Sequence, residues 1–210
     1  MEPQTDERHH ERMTHDARRS AILNAVRETC ASDGINKVSI SAVTKRAGCT
    51  RSLFYHYFPD RDAAIQAALD DSIERFIDRL REWNASREHG NIEGALDSIA
   101  SLLKAMFNAD SDMSRAMVNR SEATFYADFV HRIADRTARY ICNSTVVEFA
   151  QYHEVQIDHV YETFYVLITG LIIYLRVHPD APVDLIKEII ASTLHIEGYT
   201  EKYSHRRPER

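Results

Sequence analysis

Residues 39–62 of the chain, SISAVTKRAGCTRSLFYHYFPDRD, combine two short apolar stripes with a glycine-containing turn between them. Ser39 and Thr50 each precede one stripe and are favourable helix N-caps, because a hydroxyl there accepts a hydrogen bond from a free backbone N–H. Gly48 accepts the backbone twist of the turn, and Pro59 ends the second helix because the residue before proline avoids the α region. Two short helices joined in this way predict a helix-turn-helix.

The two predicted helices separate residues of a core from residues of a binding surface. Spacings of three and four place one set of side chains inward: Ile40, Val43, Ala47, Leu53, Phe54, Tyr57 and Phe58. The opposite face of the second helix carries Arg51, Ser52, Tyr55 and His56. In a helix-turn-helix the second helix enters the major groove of DNA, with its N-terminal residues nearest the bases. This face is therefore the candidate DNA-contacting surface.

The sequence on either side of the motif continues the helical pattern. Residues 16–32 have the apolar spacing of an amphipathic helix. Asp60 caps a long helix that runs to about residue 87, with apolar side chains at threes and fours. The sequence thus predicts a three-helix DNA-binding domain over residues 14–60. Residues 1–13 lack periodicity and are expected to form a disordered tail.

The rest of the chain also has helical spacing, without strand alternation or internal repeats. Helices are expected over residues 92–108, a short stretch to about 118, 122–149 with a break near 143–144, 155–177 and 183–203. Glycine and proline number only 6 and 5, which disfavours an all-β fold because strands need turn residues. We expect an all-α fold of about nine helices, with a larger C-terminal helical domain over 61–204 and a flexible tail over 205–210.

Charge is distributed unevenly along the chain. The formal net charge is −6, yet residues 12–60 carry 8 basic and 4 acidic side chains. Residues 61–210 carry 17 basic and 24 acidic side chains. A protein that binds nucleic acid needs positive charge only where it contacts phosphates. The pattern predicts a small basic N-terminal domain and an acidic C-terminal domain.

Three features of the sequence bear on location and cofactors. The first residues are polar and charged, without the apolar segment of a signal peptide. The longest apolar run, residues 164–175, is shorter than the roughly 20 residues that span a membrane. Cys30, Cys49 and Cys142 lack the spacing of a metal site and are expected to be reduced thiols. We therefore expect a cytoplasmic protein with no cofactor, no metal and no membrane partner.

The helix-turn-helix resembles the DNA-binding signature of the TetR (tetracycline-repressor-like) family of transcriptional regulators, over residues 15–65. The positions that carry the resemblance are Ser39, Ala47, Gly48, Thr50, Tyr55, Phe58 and Arg61. The sequence departs mildly from the family pattern. Cys49 occupies the position of the usual Val or Ile, Ser52 that of the common Gly, Arg61 that of the usual Lys and Thr44 that of the usual Ala. None of them changes the expected scaffold.

The resemblance implies a DNA-binding role for eight residues: Ser39, Lys45, Thr50, Arg51, Ser52, Tyr55, His56 and Arg61. Ser39 and Thr50 are expected to bind phosphates at helix N-termini, which attract anions. Lys45 and Arg61 are expected to pair with phosphates, which adds affinity without sequence information.

The remaining four residues lie on the second helix of the motif. Arg51 is the candidate for contact with a guanine edge, which contributes about 1–3 kcal/mol of discrimination. Ser52 beside it is expected to influence which bases are bound. Tyr55 and His56 are expected to contact phosphates or base edges, although Tyr55 is also compatible with a half-core position and His56 with a solvated surface.

The C-terminal domain contains a helix that is apolar on all sides, residues 164–175, FYVLITGLIIYL, which indicates burial on more than one face. Burial in a single-domain core and contact with a partner subunit both explain this composition. The resemblance favours a homodimer, because TetR-like proteins pair through their last two helices, and a two-fold dimer suits a near-palindromic operator in double-stranded DNA. The expected interface residues are Phe164, Leu167, Gly170, Leu171, Tyr174, Leu185, Ile189 and Leu194.

The family also has a small-molecule pocket between the long fourth helix and its neighbours. Methionine and aromatic side chains suit an adaptable apolar pocket, but at helical spacing they are typical of ordinary core as well. The candidates are Trp83, Met106, Phe107, Met113, Met117, Phe125, Phe129 and Tyr165. The resemblance thus predicts a repressor that an unidentified small molecule releases from its operator.

Other functions predict different features. An enzyme is disfavoured because the sequence lacks GxSxG, GxGxxG, HExxH, CxxC and Walker motifs. An all-helical scaffold or partner-binding protein shares the fold, but it has no use for the basic segment and predicts no salt-sensitive DNA binding. An activator and a ligand-independent repressor both remain open, because either has the same sequence features.

Overall fold

The computed structural model describes residues 14–107 and 123–200. Its α-helices within these ranges are α1 (His15–Asp33), α2 (Ile40–Ala47), α3 (Arg51–Tyr57), α4 (Arg61–Ser86), α5 (Ile92–Phe107), α6 (Ala123–Asn143), α7 (Thr145–Phe149), α8 (Val160–Val177) and α9 (Val183–Thr193). Short 3₁₀ turns follow α1 and α9, at Ile35–Lys37 and Glu197–Tyr199. The predicted all-α fold is confirmed.

The first three helices and the start of α4 enclose a small core, and residues 14–68 are called the head. Its buried core side chains are Ile22, Leu23, Ala25, Val26, Cys30, Ile35, Val38, Val43, Phe54, Phe58, Ala64, Ile65 and Ala68. α1 packs against both α2 and α4. Arg46 of α2 donates to the Thr29 hydroxyl of α1 at 3.0 Å, which fixes α2 across α1. The first two turns of α4 thus complete the core of the head, which extends beyond the predicted domain boundary at residue 60.

α4 is a continuous helix that contributes to two cores. Its buried side chains at 64–68 belong to the head, and those at 73–80 belong to a second, larger core. The Asp60 carboxylate accepts a hydrogen bond from the Ala63 N–H at 2.7 Å, so the predicted N-cap is confirmed. α4 is therefore the element that connects the head to the remaining residues.

Residues 69–107 and 123–200 are called the body, and α8 lies at its centre. α8 packs against α5, α6 and α9. By length and composition alone, α8 is the helix in the described ranges that is apolar enough to cross a membrane. Its buried side chains are nevertheless those of a core helix: Leu167, Ile168, Leu171, Ile172 and Leu175.

The helix predicted from residue 155 begins later, at Val160. Val155 and Ile157 are partly buried and alternate with exposed polar residues, and this period-two spacing suits extended backbone rather than a helix. The predicted break near 143–144 is confirmed, because α6 ends at Asn143 and α7 begins at Thr145. The short helix predicted before 118 and the tails at 1–13 and 205–210 lie outside the described residues.

The last helix ends at Thr193, ten residues before the predicted end at 203. His195 adopts a left-handed conformation with φ of 55°. The Ile196 N–H donates to the Ala191 carbonyl at 2.9 Å, which is the bond of a Schellman-type helix end. The usual sequence signal for such an end is glycine, and histidine in its place leaves the boundary invisible in the sequence.

Candidate functional site

Local hydrogen bonds fix the turn of the helix-turn-helix. The Ser39 hydroxyl accepts from the Ala42 N–H and the Thr50 hydroxyl from the Leu53 N–H, both at 3.2 Å. Both predicted N-caps are therefore confirmed. Gly48 ends α2 in the left-handed conformation, with φ of 62° and ψ of 38°. A Cβ at Gly48 would meet nothing within 4 Å, so the backbone angle and not the space requires glycine there.

α3 has one buried face and one exposed face. Phe54 is only 1% exposed in the head core, whereas the neighbouring Tyr55 is 54% exposed. Arg51, Ser52 and His56 are exposed on the same helix. The structure thus brings together the four α3 residues that are expected to contact DNA.

The residues around the turn extend this exposed surface. Ser39, Lys45 and Thr50 are exposed. Arg51 donates a hydrogen bond to the hydroxyl of Ser41 on α2. Its guanidinium must therefore leave Ser41, or share it, in order to contact a base.

Arg61, at the start of α4, is held by three hydrogen bonds within the head. Its Nε donates to the Val38 carbonyl and its Nη2 to the Ile35 carbonyl, each at 2.6 Å. Its Nη1 donates to the Asp62 carboxylate at 2.8 Å. The guanidinium thereby holds the start of α4 against the 3₁₀ turn. Phosphate binding by Arg61 stays a prediction, and it requires the exchange of one of these bonds.

Two further side chains fix the ends of α3. The Tyr57 hydroxyl donates to the His15 carbonyl at 3.2 Å, and the two rings lie 4.8 Å apart. Cys49 packs against the head core at the other end. Burial raises the pKa of the Cys49 thiol, and the nearby Arg18 charge only partly opposes this. Cys49 is thus a neutral, small side chain beneath the turn.

Two adjacent carboxylates on α4 form the junction of head and body. Asp71 accepts a hydrogen bond from Arg27 of α1 at 2.5 Å. Asp70 pairs with Arg132 of α6, and with Arg136 of α6 at 3.6 Å. Sequence reasoning missed this junction because its partners are far apart along the chain and share no local spacing.

The body contains an apolar cavity of about 140 Å³ between the ends of α4, α5, α6, α8 and α9. A second cavity of about 60 Å³ adjoins it. The walls common to both are Leu80, Ile99, Ile141, Phe164 and Ile190. Apolar walls from several helices are typical of sites for small molecules.

The predicted pocket residues have different positions. Trp83 lines the larger cavity. Met106 and Phe129 fill the body core instead, and the Tyr165 hydroxyl contacts the His131 ring nitrogen Nδ1 at 2.9 Å near the surface. The helical spacing of Met106 and Phe129 therefore reflects their positions in the body core and not in a cavity wall. Outside the described residues lie Met113 and Met117, and also the side chains of Phe107 and Phe125.

The charged groups at the rim of the cavity are paired with one another. Arg87 donates to Glu148 Oε2 at 2.5 Å, and His89 contacts the other oxygen of Glu148. The Trp83 indole N–H donates to the Ser98 hydroxyl at 2.9 Å. Within residues 14–107 and 123–200, no group of three or more histidine, cysteine, aspartate or glutamate side chains could hold a metal ion.

An exposed apolar stripe runs along α8. Val166, Ile173 and Val177 are 67%, 47% and 66% exposed. Gly170 lies between them, and a Cβ added there would meet nothing within 4 Å. Spacings of four, three and four are those of a seam between packed helices. Leu185 adds an exposed apolar side chain on α9.

Most of the predicted dimer residues point elsewhere. Leu167 and Leu171 are buried in the body core, and Phe164 and Leu194 line the larger cavity. Tyr174 and Ile189 are partly buried against the body core. Only Gly170 and Leu185 of the eight predicted residues are exposed. The exposed face of α8 is thus rotated from the predicted one, because a helix that is apolar on all sides does not reveal which face is outward.

Comparison with known proteins supports the helix-turn-helix. A family model described as "Bacterial regulatory proteins, tetR family" matches residues 22–68, which are also the limits of the head core. The HTH-type transcriptional regulator UidR of Escherichia coli strain K12 is 36% identical over 64 residues, which are 30% of this chain and 33% of UidR. The match thus spans about a third of that relative's length. BetI of Escherichia coli O139:H28 is 23% identical over 138 residues, 63% of this chain and 68% of BetI.

Solved structures resemble the whole fold. The fatty acid degradation regulator FadR from Bacillus halodurans gives a TM-score of 0.64 at 14% identity, covering 87% of this chain and 97% of FadR. A TetR-family regulator from Streptomyces coelicolor gives 0.62 at 20% identity, covering 85% and 98%. RolR, solved with resorcinol, gives 0.59 at 18% identity, covering 92% and 96%. At these identities the likeness establishes the fold alone.

Proposed function

Because the chain belongs to the TetR family of bacterial regulatory proteins, we propose that it is a cytoplasmic, dimeric repressor, not an enzyme, that binds operator DNA and is released by a small molecule. The observation that carries the proposal is the exposed face of α3. Arg51, Ser52, Tyr55 and His56 are all exposed on a helix that the turn at Gly48 fixes. A helix held in this way fits the major groove.

Positive charge and helix N-termini supply the phosphate contacts. Lys45 is exposed on α2, and α2 and α3 begin at Ser39 and Thr50. Free backbone N–H groups and the helix dipole attract phosphate oxygens at such starts. These contacts add affinity, while Arg51 adds preference for a base.

The α8 stripe supports a two-fold dimer. The exposed stripe from Val166 to Val177 offers apolar surface that a second copy of α8 covers, and Gly170 allows close approach of the two helices. Val166→Glu places a charge in this stripe. We expect it to shift the protein from dimer to monomer in light scattering after size exclusion, without loss of helix content.

Ligand release uses the connection through α4. The end of α4 lines the cavity at Leu80 and Trp83, and its start belongs to the head. α6 also lines the cavity and holds α4 through Arg132. A ligand that prefers a different spacing of α4 and α6 lowers operator affinity by its differential affinity for the two arrangements.

The test is selection of a binding site from random duplex DNA, followed by fluorescence anisotropy at two salt concentrations. Wild type is expected to bind the selected site tightly and to lose affinity as salt rises. Lys45→Ala is expected to weaken binding to all sequences and to reduce the salt dependence, whereas Arg51→Ala weakens the preference for one base.

Arg79→Ala is the matched control, because Arg79 is an exposed arginine of α4 outside the head. It is expected to leave both affinity and preference unchanged. If no sequence is enriched and binding to DNA is insensitive to salt, the scaffold alternative is correct and the regulator proposal fails.

A further inference from the structure

Two histidine side chains lie next to each other on the surface of the head. His56 belongs to the exposed face of α3, and His15 is the first residue of α1. Their ring centroids are 6.2 Å apart in an edge-to-face arrangement. The side chain of His15 is 66% exposed. His15 therefore extends onto α1 the surface that α3 is proposed to present to DNA.

Tyr57 fixes the position of this pair. Its hydroxyl donates to the His15 carbonyl at 3.2 Å, which joins the start of α1 to the end of α3. The centre of its ring lies 4.8 Å from that of His15 and 5.2 Å from that of His56. The fold thus holds the two imidazoles close together in the free protein.

The charges around the pair restrain its protonation in the free protein. The Asp16 carboxylate lies 3.5 Å from His15 Nδ1, but its side chain is 98% exposed, so solvent screens most of its attraction. The Arg19 guanidinium lies 5.7 Å from the ring centre of Phe58, beside the end of α3, and adds positive charge there. Two protonated imidazoles at this separation also repel each other.

A phosphate group of DNA reverses that balance. A protonated imidazole donates from both ring nitrogens, and its hydrogen bonds to phosphate oxygens are about 2.7–2.9 Å long. Two rings 6.2 Å apart can therefore donate to oxygens of one phosphate group. Imidazole is the side chain that changes its charge near neutral pH. Binding of DNA at this pair is then accompanied by uptake of protons.

We propose that His15 and His56 form a proton-dependent phosphate-binding site, so that affinity for operator DNA rises as the pH falls from 8 to 6. The sign follows from linkage: the complex holds more protons than the separate molecules, so a lower pH favours the complex. This inference rests on the proposed function, because it concerns the same DNA interface. It adds His15, which lies outside the helix-turn-helix.

The test is fluorescence anisotropy of the full chain on a duplex selected from random DNA at pH 7. Affinity is measured at pH 6 and pH 8, at constant ionic strength and with no small-molecule effector added. Wild type is expected to bind about tenfold more tightly at pH 6, which is an average uptake of about half a proton over this range. His15→Gln and His56→Gln should each reduce this ratio to about threefold, and the double variant should abolish it.

The affinities at pH 8 separate proton uptake from an ordinary contact. The imidazoles are mostly neutral there, so the double variant should bind within about twofold of wild type. Loss of a neutral contact or of folding would weaken binding equally at both pH values. His15→Lys is charged throughout and should raise affinity at pH 8 by about threefold. His131→Gln is the control, because His131 is an exposed histidine of α6 in the body, and it should keep the tenfold ratio.

The proposal is overturned by equal affinity of wild type at both pH values, by a double variant that keeps the wild-type ratio, or by one that is weakened equally at pH 6 and pH 8. In each of these results wild type still binds its selected sequence, so the proposed function stands. If the selection enriches no sequence, the proposed function fails, and this inference fails with it.

Discussion

Head and body differ in how their helices begin and in how their interiors are filled. α1, α2, α3 and α4 each start with a side-chain cap, at Thr14, Ser39, Thr50 and Asp60. In the body, Asn91 caps α5 by accepting a hydrogen bond from the Gly94 N–H at 2.8 Å, whereas α7, α8 and α9 start without a side-chain cap. Among the described residues, the buried side-chain polar atoms that lack a partner all lie in the body: Tyr126 OH, Thr137 Oγ1, Thr169 Oγ1 and Glu197 Oε2.

The difference shows that the two regions are specified by different forces. Local hydrogen bonds fix the ends of the head helices, so α3, the helix proposed to contact DNA, is held in place in the free protein. Apolar packing between distant segments sets the body, and both cavities described above lie there. A surface that must match a fixed duplex benefits from rigidity, whereas a site for a small molecule needs space.

The largest expected contrast comes from the same truncation in each region. Leu23 is 0% exposed in the head, and Leu80 is 2% exposed but lines both cavities. Leu23→Ala is expected to lower the free energy of unfolding by about 4 kcal/mol and Leu80→Ala by about 2 kcal/mol, because part of the Leu80 surface already faces a void. Denaturant titration measures both values. Equal losses would show that the head is packed no more tightly than the body.

A smaller effect is expected at the junction, where Asp70 and Asp71 have opposite partners. Arg27→Met releases the head side, and we expect weaker operator binding with or without effector. Arg132→Met removes the ion pair between α6 and Asp70 of α4. We expect operator affinity in the absence of effector to stay near normal, while the change in operator affinity that the effector causes becomes about fivefold smaller. Anisotropy titrations with and without effector measure both.

Arg139→Met is the control for the junction, because Arg139 pairs with Asp135 of its own helix at 2.9 Å. It should leave the effector's influence intact. Loss of that influence in Arg139→Met as well would assign the effect to α6 as a whole and not to its contact with α4.

The turn of the head is expected to be sensitive to backbone conformation alone. Gly48→Ala should lower stability by about 1 kcal/mol, because a non-glycine residue is strained in the left-handed conformation. Gly48→Asn is the matched comparison and should cost less, because asparagine adopts this conformation more readily. Thermal unfolding of both variants gives the ordering, and an Asn variant less stable than the Ala variant would contradict the argument.

The smallest expected effect has the opposite sign and lies in the body. His195 is left-handed at φ 55° without being glycine. His195→Gly should raise stability by about 0.5 kcal/mol, since the relief of strain exceeds the extra entropy of glycine in the unfolded chain. A lower unfolding midpoint in His195→Gly would show that the imidazole makes a favourable contact that outweighs the strain.

The same contrast explains what could be predicted from the sequence. The caps Ser39, Thr50 and Asp60 and the turn at Gly48 act over three or four residues, so the sequence displays them directly. The cavity walls come from helices more than a hundred residues apart along the chain, as Leu80 and Ile190 are. Large side chains such as Met106 and Phe129 have the same spacing in core and pocket. The pairing of Asp70 with Arg132 likewise has no local signature.

The core of the head closes at Ala68, inside a helix that continues to Ser86. Beyond Ala68, the head depends on the body mainly through Leu69, which packs against its core, and Asp71, which pairs with Arg27. Under the proposed function, we expect that substitutions in the cavity walls of the body can change the ligand without changing the exposed face of α3. We therefore expect that a chimaera joined within α4 would combine the operator specificity of one such regulator with the chemical stimulus of another.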